Sequence, residues 1–205
     1  MKIRRITCGN LETNCYILYH KPGGEAYIID PGYNYKEYLA PLRELGLTAR
    51  GILLTHHHDD HTGAVRNLKR ELGCPVYIHR EELSYYKGEA DEILMGGETL
   101  TLPAEDGAGA AAETILVQHT PGHTAGSVCF YAPKSRVSFT GDTIFNVDLG
   151  YTHFPGGSAE RMRNSIRAVV DKWDNGVTIH PGHGDPETMK RVREVNQEFL
   201  DMLRD

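Results

Sequence analysis

Residues 55–63 read THHHDDHTG, so four of the chain's 11 histidines fall within six positions, with two aspartates among them. Imidazole nitrogen and carboxylate oxygen are the preferred donors to zinc and related divalent ions. Side chains two apart in an extended segment share a side. That spacing puts His56, His58 and Asp60 on one side and His57 and Asp59 on the other, with His61 opening a helix. One ion would not easily take four such groups, so the cluster predicts parts of two adjacent sites and further donors elsewhere. Three later segments offer them: TPGHT with His123, TGDT with Asp142 and HPGHG with His183. Each is a glycine-containing turn directly after an apolar run, where a rigid sheet can aim a side chain. The sum is five histidines and two aspartates, enough for two metals with an aspartate bridging. His20, His57, His79, His119, His153 and His180 show no such pattern and read as structural or exposed. His57 and His180 are candidates for orienting a ligand from behind.

The elements that must carry these turns follow from periodicity. Residues 3–8, 13–19 and 25–30 read as strands, with KPGG (21–24) as a hairpin turn. A helix is expected over 35–45, with Pro41 inside it and Gly46 at its end. GILLT (51–55) is a buried strand, and TGAVRNLKREL the helix after the histidine cluster. PVYIH is a strand and EELSYYK a short helix. Residues 88–112, including AEDGAGAAAE, read as a surface loop. TILVQHT, SVCFYA, RVSFTG and GVTIHPG are strands. SAERMRNSIRAVVDKW is an amphipathic helix with Met162, Ile166, Val169 and Trp173 inward. Asp185-Pro186-Glu187 predicts the start of a last helix, with Met189, Val192, Val195, Phe199 and Leu203 on its core face. Strands in blocks with helices between and after predict a layered α/β protein, one domain over residues 1–205.

Composition narrows the function classes. The formal net charge of -6 argues against a nucleic-acid partner. No apolar run approaches membrane-spanning length, so no membrane partner is expected. MKIRRITCGN lacks the apolar core of a signal peptide, which predicts a cytoplasmic protein. Cys8, Cys15, Cys74 and Cys129 form no CxxC and are expected as buried free thiols.

The motif set resembles the metallo-β-lactamase superfamily of hydrolases. Its HxHxDH appears as His56, His58, Asp60 and His61, followed in order by TPGHTAGS, GDT and PGHG. The resemblance runs from NLETNCYIL to HPGHG. It implies a four-layer αββα sandwich with the metal site along one edge of the two sheets. It implies that His56, His58 and His123 hold one metal, that Asp60, His61 and His183 hold the second, and that Asp142 bridges them. The cofactor expected is two divalent ions, zinc first, with iron or manganese as alternatives. Two cations, two carboxylates and one hydroxide leave the centre about +1 in formal charge, suited to holding hydroxide at neutral pH. Asp60 is the candidate catalytic group, orienting the nucleophile and passing on its proton.

Within the family, TPGHTAGSV and the cytoplasmic reading resemble the glyoxalase II group, the hydroxyacylglutathione hydrolases. This implies a thioesterase acting on a small-molecule thioester through hydroxide held between two metals. Two departures point to a short, single-domain form. Only one helix's length follows His183, and Gly184 and Asp185 stand where the classical enzymes carry a tyrosine. GYTHFPGG places Tyr151 and His153 where many short relatives carry Arg and Asp, which makes both candidate substrate contacts. The rival reading is a mononuclear-iron persulfide dioxygenase. A lactonase or phosphodiesterase, or a metal-bound scaffold, ranks lower.

Overall fold

The computed structural model describes residues 1–104 and 112–204. Two six-stranded sheets are formed by the described residues. The first takes β1 (Lys2–Cys8), β2 (Thr13–Tyr19), β3 (Glu25–Ile29), β4 (Thr48–Leu53), β5 (Val76–His79) and β6 (Glu92–Leu94) in sequence order. The second takes β7 (Thr99–Leu102), β8 (Glu113–His119), β9 (Val128–Ala132), β10 (Val137–Gly141), β11 (Thr178–Pro181) and β12 (Glu187–Thr188), again in order. Both are mixed: β3 to β6 pair in parallel, as do β10 and β11, and the other pairs are antiparallel.

Three apolar clusters give the layers. In β2, Cys15 and Ile17 face the helices α1 (Tyr35–Glu44) and α3 (Val65–Leu72). Alternate residues Tyr16 and Leu18 face the second sheet, against Val117, Phe130 and Phe139. The far face of the second sheet packs Cys129 and Ile179 on α4 (Ala159–Ala168), α5 (Met189–Val195) and α6 (Gln197–Leu203). Helix, sheet, sheet, helix is the αββα sandwich expected. Strands buried on both faces read as continuous apolar runs, which is why β2 lacks alternation. The four cysteines are free and buried. Among the described residues, no helix is long and apolar enough to cross a membrane.

Several local expectations change. The strand before the histidine cluster ends at Leu53, and a one-turn helix α2 (Asp59–Thr62) begins inside the cluster. Strand alternation therefore does not extend to Asp60. EELSYYK gives only a 3-10 turn, Arg80–Glu82. The stretch 88–112 contains β6 and β7, short strands hidden by their polar composition. Within AEDGAGAAAE, residues 105–111 lie outside the described residues. After α4 the chain tightens into a 3-10 turn, Val170–Lys172, so Val170 and not Val169 is the buried residue.

Asp185-Pro186-Glu187 does not start a helix. Glu187 and Thr188 pair with β11, and α5 starts at Met189 with Thr188 as its cap. The predicted last helix is also broken, at Asn196. This fully buried side chain accepts from Phe199 N at 2.9 Å, capping α6. Its amide donates to Phe145 O at 3.1 Å and Asp148 O at 2.8 Å, holding the loop after β10. Asn196→Ala would take the partner from Phe145 O and from the buried Phe199 N–H, while Asp148 O keeps Phe145 N. It should lower stability by about 2 kcal/mol in a urea titration.

Candidate metal centre

The sheets meet at one edge, and backbone hydrogen bonds fasten that seam. Asn14 N donates to Gly182 O at 2.7 Å, and Val128 N to Thr55 O at 2.9 Å. The turns after β4, β8, β10 and β11 converge there. They bring together His56, His58, Asp60, His61, His123, Asp142 and His183, all seven residues expected at the site.

Two triads form. The donor atoms of His56, His58 and His123 lie within 4.8 Å of one another, as do those of Asp60, His61 and His183. Asp142 sits between them. Its Oδ2 is 3.5 Å from both His123 Nε2 and His183 Nε2 and 4.0 Å from His56 Nε2, and its Oδ1 is 3.4 Å from His61 Nε2. His56 Nε2, His61 Nε2 and Asp142 Oδ1 are buried without a hydrogen-bond partner. Buried polar atoms are normally paired. Several orphans aimed at one point, with His58 Nδ1 facing His123 Nε2 at 3.0 Å, fit a cation between them.

The opposite ring nitrogens are pinned. His56 Nδ1 meets Thr55 Oγ1 at 3.0 Å, His61 Nδ1 meets Asp30 Oδ2 at 3.1 Å, His123 Nδ1 donates to Tyr151 O at 2.7 Å and His183 Nδ1 to Leu11 O at 2.9 Å. A proton held on Nδ1 leaves the Nε2 lone pair facing the centre. His58 is reversed, presenting Nδ1. Asp30 could itself be taken for a donor. However, its carboxylate already accepts from Thr55 N at 2.8 Å and Thr55 Oγ1 at 2.6 Å besides His61. It is an orienting group. Thr13 Oγ1 fixes Asp60 in the same way, donating to Oδ2 at 2.9 Å. Gly182 leaves room for this packing: a Cβ there would lie 2.2 Å from Asp142 Oδ1 and 2.6 Å from His61 Cε1.

Glu82 is a buried carboxylate that the sequence did not flag. It accepts from His57 N at 2.8 Å and Gly126 N at 2.6 Å and contacts His57 Nδ1 at 2.5 Å. It thereby ties the loop carrying His56 and His58 to the loop carrying His123. His57 is held by Glu82 and stacks on Tyr85. His180 packs against Tyr16 and Phe139 and orients no donor. In the sequence Asp30 is only a lone acid after a strand, too common a signal to single it out. Glu82 carried none, because its partners are 25 and 44 residues away.

The centre opens into a cleft of about 910 Å³. Tyr151 lines it, whereas His153 is exposed and outside it; Phe154 takes the wall position instead.

A donor-lined pocket at the seam of two packed sheets, with helices on both outer faces, defines a class of metal-dependent enzymes. The chain belongs to the metallo-beta-lactamase superfamily, whose family model matches residues 8–183. A probable metallo-hydrolase, YqgX of Bacillus subtilis, is 31% identical over 98% of both chains. The hydroxyacylglutathione hydrolase GloC of Haemophilus influenzae is 29% identical over 96% of this chain and 97% of its own. Among solved structures, the BLEG-1 B3 metallo-beta-lactamase is 31% identical with a TM-score of 0.85, covering 95% of this chain and 98% of that one. TTHA1623 in a di-iron-bound form is 29% identical with a TM-score of 0.80, covering 94% and 98%. The superfamily binds divalent metals, and this cluster could hold them.

The protonation states of the metal-free site differ between the triads. Burial lowers the pKa of His58, and the neighbouring His123 and His57 lower it further, to about 4. Burial also pushes His56 and His123 down. Burial opposes a proton on His183 too, but hydrogen bonds to Asp142 and Asp60 outweigh it and raise its pKa to about 9. His61 is raised in the same way, against burial, by Asp142, Asp30 and Asp60. A metal in the second triad would have to displace the proton that His183 holds below about pH 9 and the one on His61, whereas the rings of the first triad are already neutral at neutral pH. The affinity of the second triad should fall at least about tenfold per unit as pH drops from 8.5 to 6.5, while that of the first stays nearly flat. Competition with a chromophoric chelator at several pH values reads this directly. Two constants with equal pH slopes would contradict it.

Glu82→Ala would strip the buried Gly126 N–H and the part-buried His57 N–H of their acceptor. It should cost about 3 kcal/mol in denaturant unfolding and lower metal content per chain in elemental analysis.

Proposed function

We propose that the protein is a metal-dependent thioesterase of the glyoxalase II type. The observation that carries this reading is the pair of donor triads sharing Asp142 at the floor of an open cleft. The near full-length similarity to GloC supports thioester hydrolysis as the reaction. In the proposed roles, His56, His58 and His123 hold one ion, Asp60, His61 and His183 the other, and Asp142 bridges. Bound there, the ions would supply a Lewis acid and a nucleophilic water of lowered pKa.

The chain's own groups do the rest. Asp142 and Asp60 are both ionised before any metal arrives. Burial resists this, but His61 and His183 hold Asp142 well below the usual carboxylate range. Against the same resistance, His183, His61 and Thr13 hold Asp60 there. Thr13 fixes one Asp60 oxygen, so the carboxylate can orient an attacking water. In the reaction a C–O bond forms and the C–S bond breaks, giving a carboxylate, a thiol and one released proton. A thiol has a pKa near 8.5, so the leaving group can depart as thiolate and needs no strong acid from the protein.

A second reading has one observation behind it, the likeness to a solved B3 metallo-beta-lactamase. There the leaving group is an amide nitrogen, which does need a proton.

The deciding experiment is elemental analysis of protein purified without added metal, followed by turnover of thioesters, lactones and a chromogenic cephalosporin. Near two metals per chain, with thioester cleavage that a chelator abolishes, is the expected result. Preferential cephalosporin cleavage would move the assignment to the second reading. Near one iron, with oxygen uptake on a persulfide, would replace hydrolysis by oxidation. Asp60→Ala should lower thioester kcat by about 100-fold or more while the first ion remains bound. Loss of both ions together would make Asp60 a structural ligand only.

A further inference from the structure

The cleft wall differs in character from the centre at its floor. Nine large apolar side chains are exposed among the described residues: Leu11, Tyr33, Leu83, Tyr85, Ile93, Met95, Val147, Tyr151 and Phe154. Five of the nine, Leu11, Tyr85, Val147, Tyr151 and Phe154, line this one cleft. Scattered exposed apolar residues are ordinary, but a concentration of them around a concave site marks a binding surface. Two aromatic rings reach the donors. Phe154 lies with its centroid 5.3 Å from His58 and 5.9 Å from His123, and Phe145 lies 6.0 Å from His183. A substrate group at the floor would thus have aromatic rings near both triads, with its substituents reaching the apolar wall.

The charges beyond the floor point the same way. Lys87 is the one lysine or arginine among the described lining residues. Its ammonium is 3.6 Å from the Asp59 carboxylate, with both side chains 83% exposed. Asp148 adds a further acid to the wall. Glutathione carries two carboxylates and one ammonium, and a nucleotide carrier carries several phosphates. With a single cation, an acid beside it and a further acid on the wall, the cleft offers those groups few partners.

We propose that the cleft selects neutral thioesters with an apolar or aromatic acyl group over thioesters of anionic carriers. The proposal rests on the hydrolase reading above and specifies its substrate. Phe154 and Tyr151 are the side chains that set the preference.

The test compares S-acyl N-acetylcysteamines from acetyl to hexanoyl, and benzoyl, with S-lactoylglutathione, on the metal-loaded enzyme. Each buried methylene adds up to about fourfold in binding. kcat/KM should rise at least about tenfold from acetyl to hexanoyl. The neutral hexanoyl substrate should exceed S-lactoylglutathione. Phe154→Ala should cut kcat/KM for hexanoyl at least about fivefold, mainly through KM. The loss should be larger than for acetyl, and Phe154→Leu should recover most of it. A flat or falling chain-length series, or a preference for S-lactoylglutathione, would overturn the proposal. Absence of any turnover would count against the hydrolase reading, so binding is measured separately. S-hexyl N-acetylcysteamine should bind at least about tenfold more tightly than S-hexylglutathione by calorimetry. Equal binding, or tighter binding of the glutathione thioether, would refute the cleft's selectivity whatever the catalytic result.

Discussion

Five imidazoles can point their lone pairs into one pocket only if each ring is prevented from turning away. That constraint governs much of this structure. An unpinned ring would rotate to pair its buried nitrogen, because an orphaned polar atom is costly. Four of the rings are held through Nδ1, by Thr55, Asp30, Tyr151 and Leu11. His58 has no such anchor. It is braced by packing, edge-on to His56, His123 and Phe154. The centre is thus preorganised by groups that are not themselves donors.

Donors and anchors come from both sheets, which is why the site sits on the seam. Asp30 and Thr55 follow β3 and β4 of the first sheet. Asp142 and His183 follow β10 and β11 of the second. The isolated bridge between Thr13 and His183 and the Asn14 side chain on Pro181 O and Gly184 O hold the two sets in register. Glu82 makes a second tie on the opposite side, from His57 to Gly126. Geometry at the centre is therefore a property of sheet packing, not of any single loop.

This explains what the sequence could and could not reveal. His56, His58, Asp60 and His61 were legible because they are close in the chain and chemically unusual together. His123, Asp142 and His183 were legible because each stands in a glycine turn after an apolar strand. Asp30 and Thr13 act through partners 31 and 47 positions away, and their residue types are common in turns. Glu82 looked like one acid in a polar helix. Strands β6 and β7 were missed because edge strands of mixed polarity lack the apolar run that marked β4. The break at Asn196 was missed because the apolar period of the last helix continues through it, and only the buried contacts to Phe145 and Asp148 show why it is there.

The anchors of His123 and His183 are main-chain carbonyls, and the residues that own them, Tyr151 and Leu11, turn their side chains into the mouth of the cleft. A carbonyl is the same whichever side chain it belongs to. Substitution can therefore exchange the side chain that faces the cleft at either position and keep the bond that aims the histidine behind it. Mutational drift at the mouth is uncoupled from the chemistry at the floor.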